Sequence, residues 1–342
     1  MMEKSPRFEE WQKLFEFMIE LKEIAPWKWM VEQDIFAVQH PETNELGFVS
    51  VMGYVGEHYA ISVYLGDNGL YGFWDLQQNA PDISPELFFK IPQLQASFED
   101  RDFLRPEDRD LIKQLGLHFQ GKQFWPMFRS YRPGFFPWYL ESDEARFLSY
   151  ALQQTIEVSM RFKKDRSLLK FADEEQYLVR MPVKRKDKMV WRDSLKNIPP
   201  PESYSIELTM NAFAIQSLKN IVPSNCTLEI DLFMSPSPCQ DKGERPYYPY
   251  ILMMIDADSG MILGNEVLQP IPNLETMWGT VPKKVTERLV KVHLLPQKIL
   301  INSEFLLQLL NPLSDELGFS LEISEILPNL DEARASMLKF LA

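Results

Sequence analysis

The chain has 342 residues, 45% of them apolar and 25% charged, the make-up of a folded globular protein long enough for two domains. That balance excludes a disordered chain, a collagen, a long coiled coil and a small cysteine-stapled scaffold. The net charge of −13, from 36 basic and 49 acidic residues, sets the chain as a whole against nucleic acid and anionic membranes. Residues 8–25 read as an amphipathic helix, with Trp11, Leu14, Phe15, Met18, Leu21 and Ala25 at three- and four-residue spacing, and Pro26 ends it. Three short strands follow, Asp34–Gln39, Leu46–Met52 and Tyr59–Tyr64, joined by turn residues into an antiparallel meander. A short helix over 106–115 opens on Pro106, and an irregular loop of aromatics and prolines spans 123–139. Ser142 reads as the N-cap of a long helix with Asp143 and Glu144 in its first turn and Arg161, Lys163 and Lys164 at its end, which suits the helix dipole.

That helix closes an expected α+β first domain, residues 1–165. The next stretch, 161–196, carries 12 basic and 6 acidic residues inside an otherwise acidic chain, and it marks the expected boundary. Residues 166–342 read as an α/β domain with a weak internal repeat, about 177–238 and about 250–328. Each copy runs hairpin, strand, helix, strand, and a strand–helix–strand step implies parallel pairing through a right-handed crossover. The order hairpin, helix, strand, helix, strand, helix resembles the ribonuclease H-like fold.

Several strings resemble one another's setting in a known family: Pro26-Trp27-Lys28-Trp29-Met30, Val51-Met52-Gly53, Tyr64-Leu65-Gly66, and Trp125-Pro126-Met127-Phe128-Arg129-Ser130-Tyr131-Arg132-Pro133-Gly134 running on to Pro137-Trp138-Tyr139-Leu140. Together they are similar to an uncharacterised two-domain bacterial family, known only as domains of unknown function. The resemblance implies a bacterial cytoplasmic protein and brings no activity, cofactor or catalytic residue.

Two places hold more chemistry than a fold requires. The 123–139 loop has eight aromatics in the sixteen positions from Phe124 to Tyr139, with Arg129 and Arg132 among them. Ring faces and guanidinium planes can clamp a peptide, a base or a phosphate. Trp125, Arg129, Tyr131, Arg132 and Trp138 are therefore the candidate binding residues. The plainer reading is rings packed to fill a core. The second place is Ile-Asp-Ala-Asp-Ser-Gly at 255–260. Asp256 and Asp258, with Asp331 or Glu332, could hold magnesium in a two-metal hydrolase site. The plainer reading is a hairpin turn. Asn302 ends the following strand where such nucleases place a carboxylate, which weakens the metal reading.

Other motifs fail on context. Gly116-Leu-His-Phe-Gln-Gly121-Lys122 has phosphate-loop spacing, but a helix precedes it, Gln123 replaces the Ser or Thr, and no helix follows. Arg180, Lys184, Arg185, Lys186, Lys188 and Arg192 form the one candidate nucleic-acid patch, and a solvated hairpin tip accounts for them as well. His40, His58, His118 and His293 have no metal-ligand spacing. Cys226 and Cys239 match no CxxC pair and suit a reducing compartment. No secretion signal or membrane span is expected. No motif fixes a reaction. The expectation is a non-catalytic cytoplasmic binding or scaffold protein without a cofactor, its ligand a protein or a small molecule. The alternative is a metal-dependent nuclease or hydrolase, active or degenerate, on the second domain.

Overall fold

In the computed structural model, which describes residues 5–78, 90–186, 188–201 and 206–341, the apolar stripe predicted near the N-terminus forms helix α1 (Phe8–Ile24). It buries Leu14, Phe15, Met18 and Leu21, and Ala25 closes it in a left-handed conformation before Pro26. The chain divides into two units. One is Met1–Arg132 with Pro137–Glu202, and the other is Pro133–Phe136 with Ser203–Ala342.

The first unit is built on a seven-stranded, mostly antiparallel sheet in the order β5-β4-β3-β2-β1-β6-β7. Its centre is the predicted meander of β1 (Phe36–Gln39), β2 (Leu46–Met52) and β3 (Tyr59–Leu65). Helix α2 (Gly66–Gln78) follows β3, and β4 (Gln93–Glu99), helix α3 (Pro106–Gln114) and β5 (Trp125–Tyr131) come next. Alternation along the strands feeds two cores. Val49, Val51, Ile61, Val63, Leu94 and Ala96 join α1 and the long helix α4 (Ser142–Lys164) on one face. Phe48, Tyr64, Leu70 and Phe73 form the smaller core with α2 on the other. The N-cap of α4 is Glu141 rather than Ser142. Glu141 and Glu144 close a capping box, and Ser142 instead donates its hydroxyl to Glu10.

The expected boundary at 165 moves to about 202. Strands β6 (Gln176–Arg185) and β7 (Lys188–Asn197) form a hairpin, and β6 pairs in parallel with β1 through Ala37↔Val179 and Val38↔Arg180. Leu178 and Val179 complete the two cores of the first sheet, so the basic segment finishes that sheet instead of linking two domains. The proposed internal repeat fails for the same reason, because its first hairpin belongs to the first unit. Of the expected strand Tyr204–Met210, residues 204 and 205 lie outside the described residues and 206–210 carry no strand.

The second unit holds a five-stranded sheet in the order β10-β9-β8-β11-β12. Strands β8 (Ser224–Met234), β9 (Tyr250–Asp256) and β10 (Ile262–Leu268) are antiparallel, whereas β11 (Pro296–Ile301) and β12 (Ser320–Ile323) run parallel to β8. Helix α5 (Ala212–Lys219) precedes the strands, and α6 (Leu274–Gly279), α7 (Val281–Lys291), α8 (Glu304–Leu317) and α9 (Pro328–Leu341) lie between and after them. Leu327 and Leu330, at the start of α9, pack on Phe233, Ile251, Met253 and Ile255. Residues 133–136 join this unit through the Phe135↔Tyr247 bridge. Among the described residues no helix is long and apolar enough to cross a membrane.

Candidate functional site

The segment 123–139 is half strand. Residues 125–131 form the edge strand β5, paired antiparallel with β4 from Glu99↔Trp125 to Gln93↔Tyr131, and Ser130 and Trp138 bridge beyond it. Edge position tolerates Pro126, which has no N–H to give a ladder. Trp125, Arg129 and Tyr131 share one parity along β5, and Arg132 and Trp138 lie beyond the strand. Phe128 enters the core, its ring 5.1 Å from that of Phe15 in an edge-on arrangement.

Most of the predicted polar contacts are spent inside the fold. Arg129 is 7% exposed. Its Nη1 donates to Asp108 Oδ1 at 2.9 Å and to the Phe128 carbonyl at 2.7 Å, and its Nη2 donates to Asp108 Oδ2 at 2.5 Å. Arg132 donates to Glu144 from Nε and Nη2 at 3.2 and 3.1 Å and forms an ion pair with Glu141. Tyr131 donates to Gln95, which donates to Ser62, both at 3.2 Å. On the same strand as Gln95, the buried Gln93 Nε2 and Ser97 Oγ find no hydrogen-bond partner among the described residues. Trp138 is half-buried against Tyr139, with the Arg105 guanidinium 4.9 Å from its ring centroid. The Tyr139 hydroxyl is pushed up to about 12, first by burial and then by the nearby Asp108 and Glu107 carboxylates.

Of the five, Trp125 lines a groove. A groove of about 410 Å³ lies between α3, the turn after it and Trp125. Ile112, Leu117 and Phe119 give its apolar floor, Arg101, Arg109 and Lys113 give its positive rim, and His118 and the single acid Asp110 complete the lining. The Arg101 guanidinium sits 5.9 Å from the Trp125 ring centroid, and Phe119 meets that ring edge-on at 6.0 Å. Among the described residues none of Arg101, Arg109 and Lys113 forms an ion pair. Helical spacing explains the shared face of Arg109 and Lys113, which are four residues apart. The sequence displays that spacing but not the aromatic wall opposite, which arrives through β5.

The basic hairpin is divided. Lys184, Arg185, Lys186, Lys188 and Arg192 are exposed. Arg180 is buried and donates to Gln154 at 2.8 Å and Glu157 at 2.7 Å, and it pairs with Asp193. Its neighbour Arg161 pairs with the same carboxylate, and these two guanidinium groups hold the Asp193 carboxyl below its usual range.

In the second unit, Asp256 and Asp258 occupy the β9–β10 turn. Asp256 Oδ1 accepts from the Ser259 hydroxyl at 2.6 Å and the Ser259 N–H at 2.8 Å, which lowers its carboxyl, and Gly260 supplies the positive φ that the turn requires. Asp331 accepts from the Leu327 N–H at 3.2 Å at the start of α9. No three His, Cys, Asp or Glu side chains gather as a metal site among the described residues, so the proposed Asp256, Asp258 and Asp331 set is not brought together.

Two further acids of this unit are buried side by side on one strand face. Glu229 and Asp231, both on β8, are 2% and 4% exposed. Glu229 accepts from the Leu330 N–H at 2.8 Å and from Asn329 Nδ2 at 3.2 Å, which places its carboxylate on the first turn of α9. Asp231 meets Arg334 of the same helix at 3.5 Å.

Residues 11–180 match the family model described as Domain of unknown function (DUF7309), and residues 214–338 match that described as Domain of unknown function (DUF6930). No curated protein and no solved structure matches the chain. The chain is therefore made of two domains of unknown function, in agreement with the resemblance carried by its aromatic strings.

Proposed function

We propose that this pair of domains of unknown function is a non-catalytic binding protein, and that its first domain holds an anionic group in the groove beside Trp125. The observation that supports it is the set of three cations, Arg101, Arg109 and Lys113, without carboxylate partners among the described residues, against Trp125 and Phe119 in a protein of net charge −13. A cation that serves stability is ordinarily paired or dispersed in solvent, whereas cations converging on an apolar floor suit an anion carried on an apolar body. The volume, about 410 Å³, lies within the usual range for small-molecule sites, and an acidic side chain of a protein partner would fit the same chemistry. The arginine role expected of Arg129 and Arg132 passes to Arg101 and Arg109. A thermal-shift screen of anionic, neutral and cationic aromatic compounds tests the reading. Stabilisation confined to the anionic class is expected, and equal stabilisation by neutral compounds would refute it.

A second reading concerns the other domain. Its sheet order, three antiparallel strands followed by two parallel ones with the first strand central, supports a ribonuclease H-like class. Catalysis by Asp256, Asp258 and Asp331 with magnesium is the less favoured proposal, because Asp256 and Asp331 already accept backbone N–H groups and Asn302 is neutral. Calorimetry with Mg²⁺ and Mn²⁺ decides it, and no saturable heat is expected. The cytoplasmic placement rests on Cys226 and Cys239, which are unpaired and suit a reducing compartment. Nucleic acid is not the expected partner, although the exposed lysines at the β6–β7 tip are where it would bind.

A further inference from the structure

A second cavity of the first unit, about 380 Å³, opens between the turn after α1 and the end of α4. Its one carboxylate is half-buried, where the one acid of the Trp125 groove, Asp110, is exposed. Lys28, Arg166 and Lys170 line it together with the carboxylate of Asp34, and Trp29 and Tyr54 supply ring surface. Asp34 is half-buried. Its Oδ2 accepts from the Val31 N–H at 2.9 Å, and among the described residues no hydrogen bond reaches its other oxygen. Burial pushes this carboxyl up, against the pull of Arg166 and Lys170. Arg166 is fixed, since it donates to the Trp29 carbonyl and covers the Phe162 ring.

A simple anion would meet the Lys28 and Lys170 ammonium groups but would be repelled by Asp34. A simple cation would meet Asp34 but three positive charges as well. A molecule with both charges and an apolar portion satisfies every wall. We propose that this cavity binds a free α-amino acid with an aromatic or large apolar side chain. Its ammonium donates to the open oxygen of Asp34, its carboxylate lies between Lys28 and Lys170, and its side chain rests on Trp29 and Tyr54. A charged hydrogen bond on each end gives the selectivity, and removing the ammonium strands the half-buried carboxylate of Asp34. This inference is independent of the Trp125 groove.

Isothermal titration of the full chain with L-phenylalanine, N-acetyl-L-phenylalanine and phenethylamine tests it. One saturable site for the amino acid is expected, with at least about tenfold weaker binding of each one-charge analogue. Asp34→Asn should abolish the preference for phenylalanine over its N-acetyl form. Lys28→Ala with Lys170→Ala, both at exposed positions, should abolish the preference over phenethylamine, and this variant serves if Asp34→Asn does not fold. No saturable heat with phenylalanine, or with other large apolar amino acids, overturns the proposal. So does undiminished selectivity in the folded variants.

Discussion

Arg129 and Asp108 hold each other through two hydrogen bonds, Nη1 to Oδ1 at 2.9 Å and Nη2 to Oδ2 at 2.5 Å, with both side chains buried. Asp108 also accepts from the Arg105 N–H at 3.0 Å, so the same carboxylate caps α3, the helix that carries Arg109 and Lys113 to the groove. The pair is thus a strut between β5 and α3. Asp108→Asn should destabilise the first domain by about 3–5 kcal/mol, because it leaves a buried guanidinium without its counter-charge. Chemical denaturation measures this. A double change, Arg129→Met with Asp108→Asn, should recover part of the loss, and an equal or larger loss in the double variant would show that the pair is not the strut described.

His40 gives the first domain a pH dependence. It is buried, and its Nδ1 accepts from the Glu42 and Thr43 N–H groups at 3.0 and 3.2 Å, so the neutral ring is the one that fits. Burial holds its pKa below the ordinary value. The unfolded chain takes up the proton more readily, so the stabilisation is complete above about pH 6.5 and is lost as pH falls toward the depressed value. His40→Asn can keep the turn by accepting the same N–H groups. It should flatten the stability profile below about pH 6.5. NMR titration of His40 at or above its ordinary pKa would contradict this.

Glu229 tests the second domain. Its carboxylate holds the Leu330 N–H at 2.8 Å on the first turn of α9. Glu229→Gln removes the charge at a helix N-terminus and should cost about 1–3 kcal/mol, with no dependence on added magnesium. Protection of the wild-type domain by millimolar Mg²⁺, lost in the variant, would instead assign a metal to this strand.

Much of this architecture could be read in the chain. The 23 residues of α4 and the meander follow from local periodicity and capping chemistry. What escaped was non-local. Pro126, Pro133 and Pro137 mark a loop by composition, yet Pro126 sits on a sheet edge where its missing N–H costs nothing. The β6–β7 hairpin looks like a linker because of its lysines, and only its pairing with Ala37 and Val38 reveals its sheet. In Thr227-Leu-Glu-Ile-Asp-Leu-Phe233 alternation implies wet acids, but α9 covers that face and dries them. The candidate site suffered likewise. The aromatic half, Trp125, is legible, whereas Arg129 gives its charge to Asp108, and the cations of the groove come from α3 and from Arg101 before it, with no motif of their own.

The anion groove is tested most directly by calorimetric titration with 2-naphthalenesulfonate, an aromatic ring bearing one fixed negative charge. One site should appear, and its affinity should fall with added salt. It should fall about tenfold or more in Arg109→Ala with Lys113→Ala, with the melting temperature unchanged, and by a similar factor in Trp125→Ala. An affinity indifferent to salt and equal in both variants would contradict the assignment.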